Sequence, residues 1–514
     1  MKKTLFLALI CIFSVATLSA QKVTFGAENQ SDRRDFNPVS LLGKLDNNYF
    51  VMMRESNKYF IQRYALNENL KMGKEIDVKA MIGKDEIGYT FSFMSKNVIH
   101  VFYTVYAKKE ELQYIFLQSY DENLAPKGTL RMLTTIGGRS RREAGKFRLL
   151  KSPTENKICL IGEDDFKDKD PQKFSINVFD AFTMEEEWNK KVTLPYTDKL
   201  FIASNFNVTD EGTVSILGKK FNEKLKDKKN GKVNYTFEAF VYTKENNGQQ
   251  KTISLNATTY MTDVRIFSSK TNALNIVGFY GETAQEDVAK GVFTMSLDKE
   301  MNNTGIDQKP FTAEFLATFS GKSKRKKEIY QFDIKTVMES EDGNIKVVAE
   351  QSFRLTQYYQ RGNGGTYTVT TDYDADIMVF NLDKNLKINS KMQKISKDQE
   401  TVATTGSIYS INQPNIHSYI TYKTGNDLYL LYNDNIKNKD FIYSKDVKEM
   451  NNRKPSFFMV KIDASGNIKK EELFGKQENN FLIYPVFSKQ INEKEVLIYA
   501  ERGKKYSFGI IKFD

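Results

Sequence analysis

One short pattern recurs along almost the whole chain and constrains its fold more than any other feature. An apolar residue and an Asp are followed by a polar turn and a second apolar residue that opens the next run. It stands as Tyr120-Asp121-Glu122-Asn123-Leu124 and returns as Phe179-Asp180, Leu297-Asp298-Lys299-Glu300-Met301, Leu382-Asp383-Lys384-Asn385-Leu386 and Ile462-Asp463-Ala464-Ser465-Gly466-Asn467. Weaker copies are Leu66-Asn67-Glu68-Asn69-Leu70 and Tyr242-Thr243-Lys244-Glu245-Asn246. Asp and Asn suit such turns because their side chains bond nearby backbone amides and tolerate left-handed torsions. The steps from Asn67 through Asp121, Asp180 and Thr243 to Asp298 are 54, 59, 63 and 55 residues, and the next two, to Asp383 and Asp463, are 85 and 80. The excess falls in Arg354 to Asp374 and Asn433 to Pro455, both polar and both expected to be loops.

Between the markers lie runs rich in Phe, Tyr, Val, Ile and Thr, among them Tyr49 to Arg54, Val98 to Tyr106, Thr213 to Gly218 and Glu495 to Ala500. Such runs, bounded by Asn, Asp, Gly and Lys, read as strands. The nearest helical candidate, Met184 to Lys191, is short. Four short strands per repeat is the pattern of propeller blades. The expected fold is all-β, a single β-propeller of about eight four-stranded blades, with seven the nearest other count and two β-sandwich domains the alternative architecture. The chain ends at Phe513-Asp514 on a third-strand marker, while Val23-Thr24-Phe25 has no unit of its own. The N-terminal segment is therefore predicted to supply the missing fourth strand of the last blade, which removes exposed edges.

Met1 to Ala20 reads as a secretory signal: Lys2 and Lys3, an apolar core from Leu5 to Val15 too short to span a bilayer, and Leu18-Ser19-Ala20 before Gln21. Ile10, before Cys11, is not the small residue that a lipid-attachment site requires. The propeller domain then covers residues 21–514, in the periplasm, at the cell surface or outside the cell. No later stretch is long and apolar enough for a membrane helix. Removing the two signal lysines takes the formal net charge from +11 to +9, a mild excess that tends toward acidic partners. Cys159 is the one cysteine left, so no intramolecular disulfide can form and an apolar core must supply the stability. A monomer is expected.

In a four-stranded blade, the second-to-third loops and the blade-to-blade connections emerge on one face. The long segments here are nearly all of that kind: Gly137 to Gly145, Glu163 to Gln172, Phe221 to Asn234, Gly321 to Lys327, and the two excess segments. Binding resides in long loops on a rigid scaffold. Their chemistry is cationic: Arg139, Arg141 and Arg142; Lys219, Lys220, Lys224, Lys226, Lys228 and Lys229; Lys322, Lys324, Arg325, Lys326 and Lys327. The arginines can grip carboxylate, sulfate or phosphate bidentately. Tyr358, Tyr359, Arg361 and Tyr367 flank the glycines of the most distinctive segment, where tyrosines can stack on sugars or anchor a protein.

Catalytic motifs are missing. His100 lies in an apolar run and reads as a core residue, and His417 follows a polar stretch that reads as a loop. Two isolated histidines make no zinc site, and no Gly-x-Ser-x-Gly elbow or phosphate-cradling glycine loop occurs. The acidic run Glu163-Asp164-Asp165-Phe166-Lys167-Asp168-Lys169-Asp170 lacks the glycine and terminal glutamate of a calcium loop. No metal or other cofactor is expected, and export disfavours nucleic acid.

The repeated strand–turn–strand units resemble secreted bacterial β-propeller repeat proteins, across nearly all the mature chain. The resemblance stops at architecture: Trp188 is the one tryptophan, so Trp-Asp blade endings are absent, and the doublets Gly137-Gly138 and Gly364-Gly365 do not recur by blade as kelch repeats require. The expected function is a non-enzymatic binding or scaffold protein of the bacterial cell envelope that holds a protein or an anionic glycan on a basic, loop-rich face. The alternative is a propeller-fold carbohydrate-active enzyme, a hydrolase or lyase, with carboxylates in the central funnel.

Overall fold

The computed structural model describes residues 23–30, 36–140, 143–164, 170–197, 199–226, 228–229, 232–255, 259–271, 273–281, 288–319, 329–330, 332–360, 366–389, 391–404, 416–442, 446–451, 454–475 and 481–513; the expected signal lies outside them. Within these, eight sheets of four or five strands follow one another, with two short two-stranded ribbons besides. The sheets span 36–77, 80–137, 146–197, 201–253, 260–310, 332–404, 420–475 and 482–512. Each is built on an antiparallel meander of four strands, to which three of the sheets add a short fifth strand. The last draws its fourth strand from the N-terminus, with Val23 paired to Ile511, Thr24 to Ile510 and Phe25 to Gly509.

Consecutive residues of a strand point to opposite faces, and here each face meets a different neighbour. Leu160 packs back on Phe102 of the sheet before, while Ile161 packs forward with Ile216. Leu217 then meets Ile276, Val277 meets Val347, Val348 meets Leu430, and Leu431 meets Ile498. Tyr64 with Phe508 joins the last sheet to the first, and Phe50 with Val101 joins the first to the second. These clusters link every neighbouring pair in a closed circuit, so the chain is a β-propeller and not two facing sandwiches. Burial on both faces explains why second strands such as Leu274–Gly281 are buried at every residue, while the outermost Asn303–Pro310 is mostly exposed.

The repeated Asp turn joins the third strand to the fourth. Asp383 Oδ1 accepts from the amides of Asn385 and Lys387, both at 2.8 Å, and Asp121 and Asp298 do the same. The apolar residue that ends the turn is left-handed: φ is 61° at Leu124, 56° at Met184, 64° at Met301 and 61° at Leu386. That torsion costs a non-glycine residue about 1 kcal/mol, which burying the Leu or Met side chain, worth about 2 kcal/mol, offsets. A side chain of the preceding blade then bonds a carbonyl of the turn: Lys74 to Asn123, Arg131 to Met184, Thr294 to Leu386 and Gln393 to Gly466. The repeat is thus both a turn and an inter-blade latch.

One expectation is corrected here. Met184 to Lys191 is not helical: strand Glu186–Thr197 begins within it, because its alternating residues pair with Pro171–Asp180 and bury Trp188. Among the described residues the α-helix is a single turn, Ala313–Ala317, capped by Thr312, whose hydroxyl accepts from the Phe315 amide at 3.1 Å, and Ile436–Asn438 forms one 3-10 turn. No helix among the described residues is long and apolar enough to cross a membrane.

Candidate functional site

First-to-second strand turns are short, third-to-fourth turns are short save for the ten residues 383–392, and the longest insertions lie in the other connections. They include the ribbon of Lys228–Lys229 with Lys232–Val233, the short helix, and the connections from Thr404 to Ile420 and from Asp434 to Ser456. Short turns are tied to their neighbours: Thr154 bonds Asp210, the Lys270 amide bonds Glu339, and the Glu341 amide bonds Asn426. One face of the disc is therefore stitched and the other carries the excursions.

The most prominent excursion is not the loop expected from Arg354 to Asp374. Strands Ile345–Gln360 and Thr366–Leu382 run on in register as a two-stranded ribbon, Ser352 opposite Asp374 and Gln360 opposite Thr366. Alternating β-branched and aromatic residues favour that extension. Its two faces differ. Phe353 stacks on Tyr373 with ring centres 4.5 Å apart, Tyr359 stacks on Tyr367 at 5.2 Å, and Leu355 and Val402 share that side. The reverse side is polar, with Arg354 bidentate to Asp372 at 2.5 and 3.0 Å and Thr356 bonded to Thr370. Tyr358, 80% exposed, stands on the polar side.

At the foot of the ribbon lies a knot of buried polar groups. Lys397 Nζ sits 2.6 Å from Glu350, both side chains sealed from solvent, and also donates to the Asp374 carbonyl at 2.7 Å and Gln399 Oε1 at 2.9 Å. Ser418 donates its hydroxyl to Glu350 and its amide to Gln399. Asn433 holds the carbonyls of Ile416 and Ile483, and Lys470 lies 3.0 Å from Asp434. The chain crosses here from one blade to the next without a full ladder, so side chains satisfy the backbone groups that a strand would have paired. Burial pushes the Asp434 carboxyl above and the Lys470 ammonium below their usual ranges, and each ion counters the shift of the other. Lys394, paired with Asp376 at 3.0 Å, is the buried cation beside an open pocket of about 370 Å³ between Pro310, Phe315 and Met392. Its remaining bond goes to the Thr318 carbonyl.

On the innermost strands, polar side chains bridge neighbouring blades. Asp263 accepts from the Ile334 amide at 2.7 Å, Arg265 Nε donates to the Ile334 carbonyl, and Asn205 accepts from the Ile266 amide. Burial raises the Asp263 carboxyl, Arg265 and the Ile334 amide oppose that shift, and Asp333 adds to it.

Of the residues singled out by sequence, Tyr358, Tyr359 and Tyr367 are gathered on the ribbon, and Arg139 is exposed on a different excursion. Arg141, Arg142, Arg325 and Arg361 lie outside the described residues, as does the lysine run from Lys322 to Lys327. Lys219 and Lys220 are not loop residues. They end strand Val214–Phe221, their ammonium groups over the Tyr235 and Tyr196 rings at 4.3 and 5.6 Å. In the acidic run, residues 165–169 lie outside the described set, and Asp164, half-buried, accepts from the Gly137 amide at 3.1 Å. No group of three or more metal-ligating side chains occurs among the described residues. The buried charges at the ribbon's foot were missed, since a lysine in a polar sequence carries no mark of burial.

His417 is buried, its Nδ1 2.9 Å from the Thr401 hydroxyl, and not in an open loop. His100 is a core residue, its Nδ1 2.9 Å from Ser119 Oγ, and burial, reinforced by Arg131 and Lys127, pushes its pKa from 6.5 down to about 4. The unfolded chain therefore binds the proton first as pH falls. Stability is expected to be highest above pH 6.5 and to drop by about 3 kcal/mol by pH 4 through this residue. Urea titrations across that range check this: His100→Leu should flatten the decline, and an unchanged slope would refute the assignment.

No family model and no curated protein matches the chain. Solved structures resemble it weakly. An α-L-arabinanase of Penicillium chrysogenum is 11% identical, over 64% of this chain and 93% of that one, with a TM-score of 0.32. The β-propeller domain of the trilobed protease of Pyrococcus furiosus is 9% identical, over 90% and 100%, with a TM-score of 0.30. A protein of unknown function from Dyadobacter fermentans is 6% identical, over 96% and 99%, with a TM-score of 0.32. At such scores the fold assignment rests on the sheets and their closed circuit of contacts.

Proposed function

We propose that this chain is an exported, non-enzymatic binding or scaffold protein of the bacterial cell envelope, which holds a protein or an anionic glycan on the face that carries the excursions. The observation that carries this reading is the asymmetry of the disc: mostly short, stitched turns on one side, and on the other the longest insertions, with exposed Arg139, Lys224 and Lys226 among the excursions. Rigid scaffolds with variable loops on one face are binding platforms. The test is retention on an immobilised sulfated glycan, alongside capture of envelope proteins. Replacing Arg139, Lys224 and Lys226 with glutamine is expected to weaken retention and make it less salt-sensitive. Replacing Lys299, Lys384 and Lys494, on the stitched face, should leave it unchanged. Equal effects of the two sets would sink the reading.

One observation favours a second reading, a carbohydrate-active enzyme. Asp263 and Asp333 lie on adjacent innermost strands, close enough for Asp333 to raise the Asp263 pKa, and a pair of neighbouring carboxyls is what glycoside cleavage requires. Shortening of the bound glycan that Asp263→Asn abolishes would decide for it.

A further inference from the structure

The long strand of the ribbon changes its company halfway. Strand Phe332–Glu339 flanks Ile345–Gln360 only as far as the pair Phe332 and Gln351. From Ser352 to Gln360 the strand is paired on one side alone, by Thr366–Asp374, and among the described residues nothing takes its outer edge. The other edge of the ribbon is closed by Gln399–Thr404 along Val369–Asp374.

Proteins protect open edges with lysine, proline, a bulge or an inward charge. Residues 352–360 read Ser-Phe-Arg-Leu-Thr-Gln-Tyr-Tyr-Gln and contain no lysine, proline or glycine. Their pairing runs without a bulge, and their one charge, Arg354, is held by Asp372 within the ribbon. Leu355, at 44% exposed, and Val402, at 49%, leave the aromatic side of this sheet partly uncovered.

We propose that this edge joins two copies of the chain, antiparallel about a two-fold axis through Thr356. An antiparallel edge is complementary to itself, and all nine residues find partners only in the register that sets Thr356 opposite itself. Phe353 then faces Tyr359 of the second copy, and Leu355 faces Gln357. Arg354 meets Tyr358, a cation against an aromatic ring, and no like charges meet. A dyad two residues earlier would set Arg354 against its own copy. The interface continues a pairing that the chain already makes, since the second copy takes the place that Phe332–Glu339 leaves at Gln351. The two ribbons and their flanking Gln399–Thr404 strands become one six-stranded sheet. The monomer expected from composition gives way to a two-fold dimer whose main chains are hydrogen-bonded across the axis.

The test uses the mature chain in sedimentation experiments across the micromolar range. The unaltered protein is expected to show a concentration-dependent dimer. T356K and T356E each place like charges face to face and should weaken association about tenfold or more, with thermal unfolding unchanged because Thr356 is exposed. Mixing the two variants in equal amounts should restore the dimer, an outcome that only self-apposition at this residue produces. A protein monomeric throughout the range, a dimer that survives T356K, or a mixture that stays monomeric would each overturn the proposal.

Discussion

Replacing Lys397 with methionine is expected to lower the unfolding free energy by about 3–5 kcal/mol, the cost of leaving one member of a buried ion pair without its partner. Methionine fills the space of the lysine stem, so no cavity contributes. What changes is Glu350, sealed from solvent and then deprived of the ammonium group 2.6 Å away, together with the Asp374 carbonyl and Gln399 side chain that Lys397 also bonds. The double variant Lys397→Met/Glu350→Gln removes both charges and should recover part of the loss. Lys384→Met, at an exposed turn, should cost nothing measurable. Urea unfolding midpoints read all three, and a Lys397→Met midpoint equal to the parent's would mean that the carboxylate finds another partner or water.

Removing residues 21–28 is expected to cost at least about 4 kcal/mol and to make the protein prone to aggregate. Three ladder pairs go, and with them Phe25, whose ring lies 5.1 Å from Phe474 and 5.8 Å from Phe481. Glu28 leaves Arg502 and Lys505, and the Ala27 amide leaves the Asn69 carbonyl of the first blade. The strand Lys505–Lys512 then shows an unpaired edge, the template for pairing with other chains. Size-exclusion chromatography and urea unfolding measure both effects, and a synthetic peptide of residues 21–30 added in trans should reverse them. A truncated protein as stable and as well dispersed as the parent would show that the ring does not depend on its clasp.

Much of this architecture is written in residues that repeat. The Asp turns announce themselves because each must cap the same backbone amides and deliver a Leu or Met into the same inter-blade gap. The lone Val23-Thr24-Phe25 is legible for the opposite reason, having no unit to belong to. The ribbon was not legible: Arg354, Asp372 and the glycines at its tip read as loop chemistry, whereas the strand character sits in the alternation of Phe353, Leu355 and Tyr359 with Tyr367, Val369 and Tyr373, which becomes clear only when the two halves are aligned. Lys219 and Lys220 misled for a related reason. A lysine at the head of a lysine-rich stretch reads as solvated, but its long stem lets the ammonium group rest on a nearby aromatic ring. Buried ions such as Lys397 and Asp434 leave no local trace, because their partners lie far off in sequence and are brought near by the folding of the blade that holds both.

The clasp between the two ends also orders events in time. Val23 is made 488 residues before its partner Ile511. Contacts between such distant positions form late and at high entropic cost. Until Ile511 has been made, the earlier blades can assemble side by side, but the circle cannot shut. Closure thus reports that synthesis has passed the last blade: a product that stops short of it keeps an open edge and stays a substrate for proteases.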